Sequence, residues 1–376
     1  MKVKKYMSQS GKYKVIISGG GTGGHIFPAI AVANALKRID PDIEILFVGA
    51  EGRIEMEKVP AAGYKIIGLP VAGFIRKVTI KNIQVLIKLF RSLIIARKIL
   101  KEFKPDIVVG VGGYASGPVL KQAGRMKIPT LIQEQNSYAG ITNKLLAKKA
   151  SVICVAYDGM GKYFPANKII KTGNPVRQGF ELLNEKRGEA LKFFNLIENI
   201  PVILVLGGSG GARVINNYLT DNLIEIAASG YQWLWQSGKY YFETTSAQVS
   251  ASKSANIHVH KFINKMDFAY AAADIIVSRA GAGTISELCI VGKPVILVPS
   301  ANVAEDHQSK NAMALVEKAA AVMLRDSEVG VKLLSEVVKL NEDEDRKRML
   351  SENIQKQAIR NADVLIANEI IKIIQQ

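Results

Sequence analysis

Cysteine is scarce. Cys154 and Cys289 are the only two in the chain and lie in unrelated apolar contexts. That excludes a disulfide scaffold and a cysteine-built zinc site, and it suits a reducing compartment. Aromatic residues make up 7% and are not interleaved with the basic ones, which argues against base stacking along a nucleic acid. No run approaches the ~18 uncharged apolar residues of a spanning helix. The basic start, MKVKKYMSQSGKYK, leads into no secretory apolar region. A cytoplasmic protein that does not cross the membrane is therefore expected. Acids are outnumbered by Lys and Arg, 33 to 50, leaving a net charge of +17. Such an excess attracts anions, whether nucleotides, nucleic acid or an acidic lipid surface.

Metal and triad chemistry are also poorly provided for. His258 and His260 alternate in IHVHKF, on one face of a strand, with no third ligand evident. Asp343-x-Asp345 lies in the charge-rich NEDEDRKRML and reads as a solvated helical face. No nucleophile elbow is present. No metal is expected.

What is present is a repeated α/β grammar. With 376 residues, 48% of them hydrophobic, the chain is too long for one ordinary core and two domains are expected. Four times an apolar β-branched run is followed by a Gly-rich turn and a helical pattern, at residues 14–36, 106–123, 201–219 and 274–292. VIISG, IVVGV, VILVLG and IIVS lack alternation, as strands covered on both faces do. Further strands are expected at 43–49, 130–134, 152–156, 233–237 and 294–299. Strands alternating with helices mean parallel sheets. The third repeat restarts the first, so two doubly wound domains stand in tandem. The turn-rich KTGNPVRQGF marks their boundary. The expected domains are 1–173, 174–355, and a C-terminal helix at 356–376, the end of an amphipathic pattern from Ser351 that closes the second domain or reaches back to the first.

The glycine turns carry the first functional signal. A turn after a strand lets backbone N–H groups approach a phosphate, and the next helix adds its positive end. Gly19, Gly21 and Gly24 satisfy the dinucleotide spacing, and Glu51 falls where a ribose-binding acid is wanted. A nicotinamide enzyme is thus one reading. Against it stand His25 and Pro28 at the helix start, and a second turn, GGSGGAR, heading the other domain. A transferase with donor and acceptor on opposite lips uses two such domains. A helix N-terminus disfavours imidazolium, so His25 is expected as a neutral base; the alternative is a histidine that packs the turn. In SRAGAGTISE, Thr284 and Ser286 can cap the helix or bind phosphate. Glu287 can accept from a ribose diol or simply favour the dipole. In EDHQSKNA, the amides of Gln308 and Asn311 suit a hydroxyl-rich ligand.

The charge is concentrated. From Arg76 to Lys104 there are nine Lys or Arg (Arg76, Lys77, Lys81, Lys88, Arg91, Arg97, Lys98, Lys101, Lys104) against Glu102 alone, nine minus one giving +8. Ile80, Ile83, Leu86, Ile87, Phe90, Leu93 and Ile94 recur at helical spacing, and Val85 and Leu89 widen the stripe. A basic helix with a wide apolar face reads as a membrane-surface element; the alternative is a core helix with a solvated basic edge.

These motifs together resemble the peptidoglycan N-acetylglucosaminyltransferases of glycosyltransferase family 28. SGGGTGGHIFPA, GVGGYASGP, QEQNSYAGITNK, TGNPVR, LGGSGGAR, SRAGAGTISE and DHQSKNA occur in order from Val15 to about Asn361. The resemblance implies a GT-B architecture, α/β with two Rossmann-like parallel-sheet domains facing a cleft. It implies inverting transfer of N-acetylglucosamine from UDP-GlcNAc to the C4 hydroxyl of MurNAc in undecaprenyl-pyrophosphoryl-MurNAc-pentapeptide (lipid I), giving lipid II and UDP.

By that resemblance, Thr22, Gly23 and Gly24 meet the donor, and His25 lies near the reacting centre. Asn136 contacts the sugar, Arg177 the nucleotide and Ser209 the diphosphate, while Ile263 holds uracil through its backbone. Ala282, Gly283, Thr284, Ile285, Ser286 and Glu287 line the nucleotide, with Glu287 on the ribose. Gln308 reads sugar hydroxyls, Asn311 supports that segment, and Tyr114 and Glu134 stand on the acceptor side. His25 or Glu134 takes the hydroxyl proton, with His25 preferred. No cofactor is implied. The partners are the two substrates, an anionic membrane surface met through 76–104, and other cell-wall enzymes, but no nucleic acid. The place is the cytoplasmic face of the inner membrane, peripherally. Gly210 stands where glutamine is common, and Gln133 where histidine is frequent. A transferase acting on diacylglycerol remains the alternative within this fold, and a pure lipid-binding module outside it.

Overall fold

A computed structural model describes residues 13–71, 80–177, 179–180, 183, 185–301, 303 and 306–376, with the backbone alone at 80–83. The chain forms two compact units. One comprises residues 1–176 with Asn361–Gln376, the other Arg177–Arg360.

The first unit is built on β1 (Lys14–Ser18), β2 (Glu44–Ala50), β3 (Lys65–Leu69), β4 (Ile107–Gly110), β5 (Thr130–Glu134), β6 (Val152–Val155) and β7 (Ile169–Lys171). They pair in parallel in the order β3-β2-β1-β4-β5-β6-β7. Successive β1 side chains serve opposite faces. Val15 and Ile17 join a core that includes Ile26, Ala29 and Val32 of the helix Gly23–Ile39. Ile16 joins the other core, with Ala96 and Leu100 of the helix Ile80–Phe103. Covering on both faces is why these strands read as unbroken apolar runs.

The second unit repeats the plan with β8 (Val202–Leu206), β9 (Gln232–Gln236), β10 (Ile257–His260), β11 (Ile275–Ser278), β12 (Val295–Leu297) and β13 (Val322–Met323). Its parallel order is β10-β9-β8-β11-β12-β13. In each sheet the strand order reverses beside the first strand, between β1 and β4 and between β8 and β11. Doubly wound folds place ligands at the carboxyl ends of such strands.

The tail departs from the single amphipathic pattern expected from Ser351. It forms two helices, Glu344–Gln355 and Ala362–Ile374, broken where Asn361 adopts a left-handed conformation (φ 57°). Leu350 of the first lies in the second unit's core. Ile366, Ala367 and Ile370 of the last lie fully buried in the first unit, and Arg38 donates to Asp363 at 2.6 Å. The unit boundary falls just before Arg177. Strands β3, β7 and β13 went unread because they are short or half-exposed at their sheet edges, where the apolar run is lost.

Truncating Ile366 to Ala should destabilise the first unit by about 2–5 kcal/mol, the usual range for a fully buried aliphatic. Urea unfolding measures this. A loss well under 1 kcal/mol would mean that the final helix does not share the core.

Candidate active site

In the second unit the turns after β8 and β11 lie side by side. They open onto a cavity of about 520 Å³. Gly207, Gly208, Gly211 and Arg213 line it from one turn, Arg279, Gly281 and Thr284 from the other, with Tyr241, Ser300, Gln308 and Asp326 around them. Gly211 has φ +92°, and a Cβ there would collide with the Ser237 carbonyl and the Tyr241 ring. Only glycine permits this close backbone approach. The helices Arg213–Asp221 and Ala282–Val291 start at the cavity, and neither carries an acid in its first turn. Two positive helix ends with no acid in their own first turns suit a diphosphate.

Of the residues expected to bind the donor, Thr284 and Gln308 line this cavity. Gln308 Oε1 accepts from Ser300 N at 2.9 Å, so its amide N–H is the group left to meet a sugar hydroxyl. Ser209 is exposed on the first turn, while Ala282 and Gly283 are half-buried at the second helix start. Ser286 Oγ donates to Ala282 O at 3.1 Å. Ile285 is buried in the core and lends the segment its anchoring, not its side chain. Asn311 is fully buried and donates to Ala280 O at 3.5 Å, bracing the turn from beneath. Ile263 departs in part from expectation. Its N–H is donated to Gln236 Oε1 at 2.9 Å, which leaves only its carbonyl to meet a base.

Arg177 and Glu287, expected on different parts of the nucleotide, hold each other. Arg177 Nε donates to Oε1 at 2.9 Å and NH2 to Oε2 at 3.2 Å, and Tyr270 O–H donates to Oε2 at 3.1 Å. Burial, then the Glu287 charge, push the Tyr270 phenol well above its ordinary range, which keeps it a donor. Arg279, within SRAGAGTISE, is not among the residues the motifs mark. It lines the cavity and is held by Asp326 Oδ1 at 2.5 Å and Val298 O at 3.0 Å. An arginine directly after an apolar strand, at the mouth of a glycine turn, was the available signal.

In the first unit, Thr22 and His25 stand at the start of the helix after β1. Thr22 Oγ1 lies 3.0 Å from His25 Nδ1. The half-buried imidazole packs over Gly112 (φ +91°), where a Cβ would lie 2.8 Å from the ring. Tyr114 is exposed on the turn after β4, and Gly23 and Gly24 are accessible beside Thr22. Glu134 ends β5, 3% exposed. Its Oε1 accepts from Asn136 N at 3.1 Å and Asn136 Nδ2 at 3.4 Å, and its Oε2 from Gly140 N at 3.0 Å and Asn143 Nδ2 at 2.9 Å. Burial pushes the carboxyl above the usual range against the pull of these bonds. Asn143 Oδ1 is a buried acceptor without a partner.

Beneath this loop lies a buried amide relay. Gln133 Nε2 donates to Asn174 Oδ1 at 2.9 Å, Gln135 Nε2 to Gln133 Oε1 at 2.8 Å, and Asn174 Nδ2 to Gln135 O at 2.9 Å. The glutamine at 133 therefore has a defined task. It ties the end of β5 to the TGNPVR segment. Gly210 faces the Tyr240 ring, which a Cβ there would meet at 3.6 Å.

Glu55 escaped sequence reasoning, which favoured Glu51. Glu51 is exposed, whereas Glu55 is fully buried and accepts from Gly21 N at 3.0 and 2.9 Å and from Ala50 N at 2.9 Å. Asp343 caps the helix Glu344–Gln355 by accepting from Arg346 N, and Asp345 pairs with Arg348. Among the described residues no three His, Cys, Asp or Glu gather as metal ligands.

The glycosyltransferase family 28 N-terminal domain matches residues 15–155, and the C-terminal domain of the same family residues 202–366. A protein of Parabacteroides distasonis named UDP-N-acetylglucosamine–N-acetylmuramyl-(pentapeptide) pyrophosphoryl-undecaprenol N-acetylglucosamine transferase is 57% identical over 363 residues, 96% of this chain and 99% of its own length. One of the same name from Bacteroides thetaiotaomicron is 58% identical over 362 residues, 96% of this chain and 97% of its own length. Among solved structures, Acinetobacter baumannii MurG superposes with a TM-score of 0.76 at 28% identity, covering 96% of this chain and 99% of that one. The calicheamicin glycosyltransferase CalG4 (TM-score 0.69, 14% identity, 97% of this chain and 99% of that one) shares the fold.

Replacing Gln133 with Leu would remove two buried hydrogen bonds of the relay, from Gln133 Nε2 to Asn174 Oδ1 and from Gln135 Nε2 to Gln133 Oε1. The expected loss is about 1–3 kcal/mol in urea unfolding. An unchanged midpoint would show that the relay bears no load.

Proposed function

The chain belongs to glycosyltransferase family 28, and from that membership we propose the reaction it performs: transfer of N-acetylglucosamine from UDP-GlcNAc to the C4 hydroxyl of MurNAc in undecaprenyl-pyrophosphoryl-MurNAc-pentapeptide, with inversion, giving lipid II and UDP for peptidoglycan synthesis. It is a hexosyltransferase of GT-B architecture. The observation that carries the reading is the 57% identity, over nearly the whole of both chains, to a transferase of that name.

The chemistry follows from the two units taken separately. In the second, the diphosphate of UDP-GlcNAc sits at the glycine turns, where Ser209, Thr284 and two helix ends face the charge that grows as the C1–O bond to UDP breaks. Arg279, already inside the cavity, supplies a cation there. Glu287, oriented by Tyr270, accepts from the ribose diol, and Arg177 turns to the nucleotide. The Ile263 carbonyl meets the uracil, and the Gln308 amide reads the sugar. Ala282 and Gly283 form the helix start, and Ile285, Ser286 and Asn311 hold it.

In the first unit, the acceptor C4 oxygen forms the new bond to C1 and its proton passes to His25 Nε2. If the Nδ1–H donates to Thr22 Oγ1, Nε2 carries the lone pair needed. Glu134 is the weaker choice as base, because four donors already occupy its oxygens. Its task is to hold the loop bearing Asn136 in place, with Tyr114, Gly23 and Gly24 as further acceptor-side surface. Charge stabilisation by backbone dipoles, helix ends and Arg279 gives the reaction its electrostatics.

The acceptor is a lipid, and the helix Ile80–Phe103 suits a membrane surface. Ser92, Ala96, Ile99 and Leu100 face the core, yet Leu86, Ile87, Phe90 and Ile94 are each more than half exposed. Lys88, Arg91, Arg97 and Lys98 stand exposed around them. Arg76 and Lys77, and the side chains of Ile80, Lys81 and Ile83, lie outside the described residues. Among those described, no helix is long and apolar enough to cross a membrane. An exposed apolar strip within a basic surround favours peripheral binding to an anionic leaflet, here the cytoplasmic face of the inner membrane. Other cell-wall enzymes would be met there.

Labelled GlcNAc should pass from UDP-GlcNAc to a short-chain lipid I analogue in the presence of EDTA. UDP-GlcNAc binding without transfer would assign another lipid acceptor. His25→Ala should lower turnover by ~10² or more while donor binding persists, and near-normal turnover would remove His25 as the base. The double change Phe90→Ser with Ile94→Ser should weaken sedimentation with anionic vesicles at least about tenfold, given ~1.5–3 kcal/mol for each large apolar side chain buried. Unaltered sedimentation would place the docking face elsewhere.

A further inference from the structure

We propose that Glu55 is a built-in anion: its carboxylate fills the glycine turn after β1, keeps phosphate groups out of it, and holds the Thr22–His25 segment in register for the acceptor reaction. In doubly wound folds that turn is where a nucleotide phosphate meets backbone N–H groups. The spacing of Gly19, Gly21 and Gly24 meets the requirement, yet the N–H of Gly21 is already shared between Oε1 and Oε2 of Glu55 at 3.0 and 2.9 Å. Ala50 N, at the end of β2, donates to the same Oε1 at 2.9 Å. The side chain has no solvent exposure.

The fit is made by two glycines. A Cβ on Gly20 (φ +138°) would overlap the carboxylate, and one on Gly49 would lie 2.6 Å from Glu55 Cγ. Gly20, just past the end of β1, and Gly49, near the end of β2, thus leave the space that Glu55 enters. A phosphate would have to displace a buried carboxylate of like charge to reach these donors, and an anion without them is left in a costly place.

The second unit supplies the contrast. Its turn after β8 opens onto a cavity, and a Cβ on Gly208 would meet nothing within 4 Å. One fold element used twice is therefore open in one unit and self-filled in the other. In the first, the anchored Gly21 precedes Thr22, whose hydroxyl meets His25 Nδ1 at 3.0 Å. Glu55 acts on the reaction through this segment and is a positioning residue. That kinetic role rests on reading His25 as the base, whereas the exclusion of phosphate does not.

The test has two arms. In the native protein, inorganic pyrophosphate and then UDP are titrated while backbone amide resonances are followed. The Gly21 amide should stay protected from solvent exchange and unshifted at concentrations that saturate the second unit; a shift at Gly21 overturns the proposal. In the second arm, E55Q introduces an amide where two N–H groups need an acceptor. Its kcat should fall at least about tenfold, as expected for a misplaced catalytic segment, with KM for UDP-GlcNAc within about twofold of the native value. An unchanged kcat overturns the positioning role. Urea unfolding of the variant checks that E55Q folds, and if it does not, the native-protein arm decides. Failure of the native enzyme to transfer GlcNAc would count against the transferase reading and leave the Gly21 test intact.

Discussion

The close approach of backbone to backbone at the carboxyl ends of the central strands governs much of what this protein can do. At the β1–β4 switch, a Cβ on Gly113 would overlap the Gly20 carbonyl, and one on Gly19 would lie 2.8 Å from Gly112 O. At the β8 turn, a Cβ on Gly238 would overlap Gly211 N. These positions accept no side chain, and they lie beside the helix starts that carry Thr22 and His25 in one unit and the cavity-lining Arg213 in the other. The parallel sheets beneath supply the rigidity, since every residue of β8 and every apolar residue of β1 is buried.

Given that frame, buried polar groups decide the details. Four donors converge on Glu134, three hydrogen bonds on Glu55, and an amide relay runs through Gln133, Gln135 and Asn174. Each satisfies loop N–H groups or amides that would otherwise be costly inside the protein. They fix loops that a hydrophobic core alone would leave loose. The pairing of Arg177 with Glu287 and of Arg279 with Asp326 does similar work in the second unit, holding buried or half-buried charges compensated.

Much of the architecture was legible in the residues. The β-branched runs before Gly-rich turns marked the buried strands β1, β4, β8 and β11, because a strand covered on both faces has no reason to alternate. The same turns pointed to phosphate chemistry, and Thr284 and Gln308 do line the cavity. The edge strands β3, β7 and β13 were not legible, since half-exposed positions relax the pattern. Arg279 and Glu55 were not legible either, because spacing along a chain does not say which charged side chain the fold will turn inward.

What the sequence determined by itself was therefore local and repetitive: two parallel α/β units, glycine turns at their switch points, a basic apolar helix, and motifs enough to identify the family. Tertiary structure alone decided the rest. It split the C-terminal pattern at Asn361 and gave the last helix to the first unit. It set Arg177 against Glu287, and it filled one glycine turn while leaving its counterpart open. The reason is physical. Strand and turn signals arise from neighbours along the chain, whereas the partner of a buried charge or a buried Ile is chosen by which distant surfaces exclude water together.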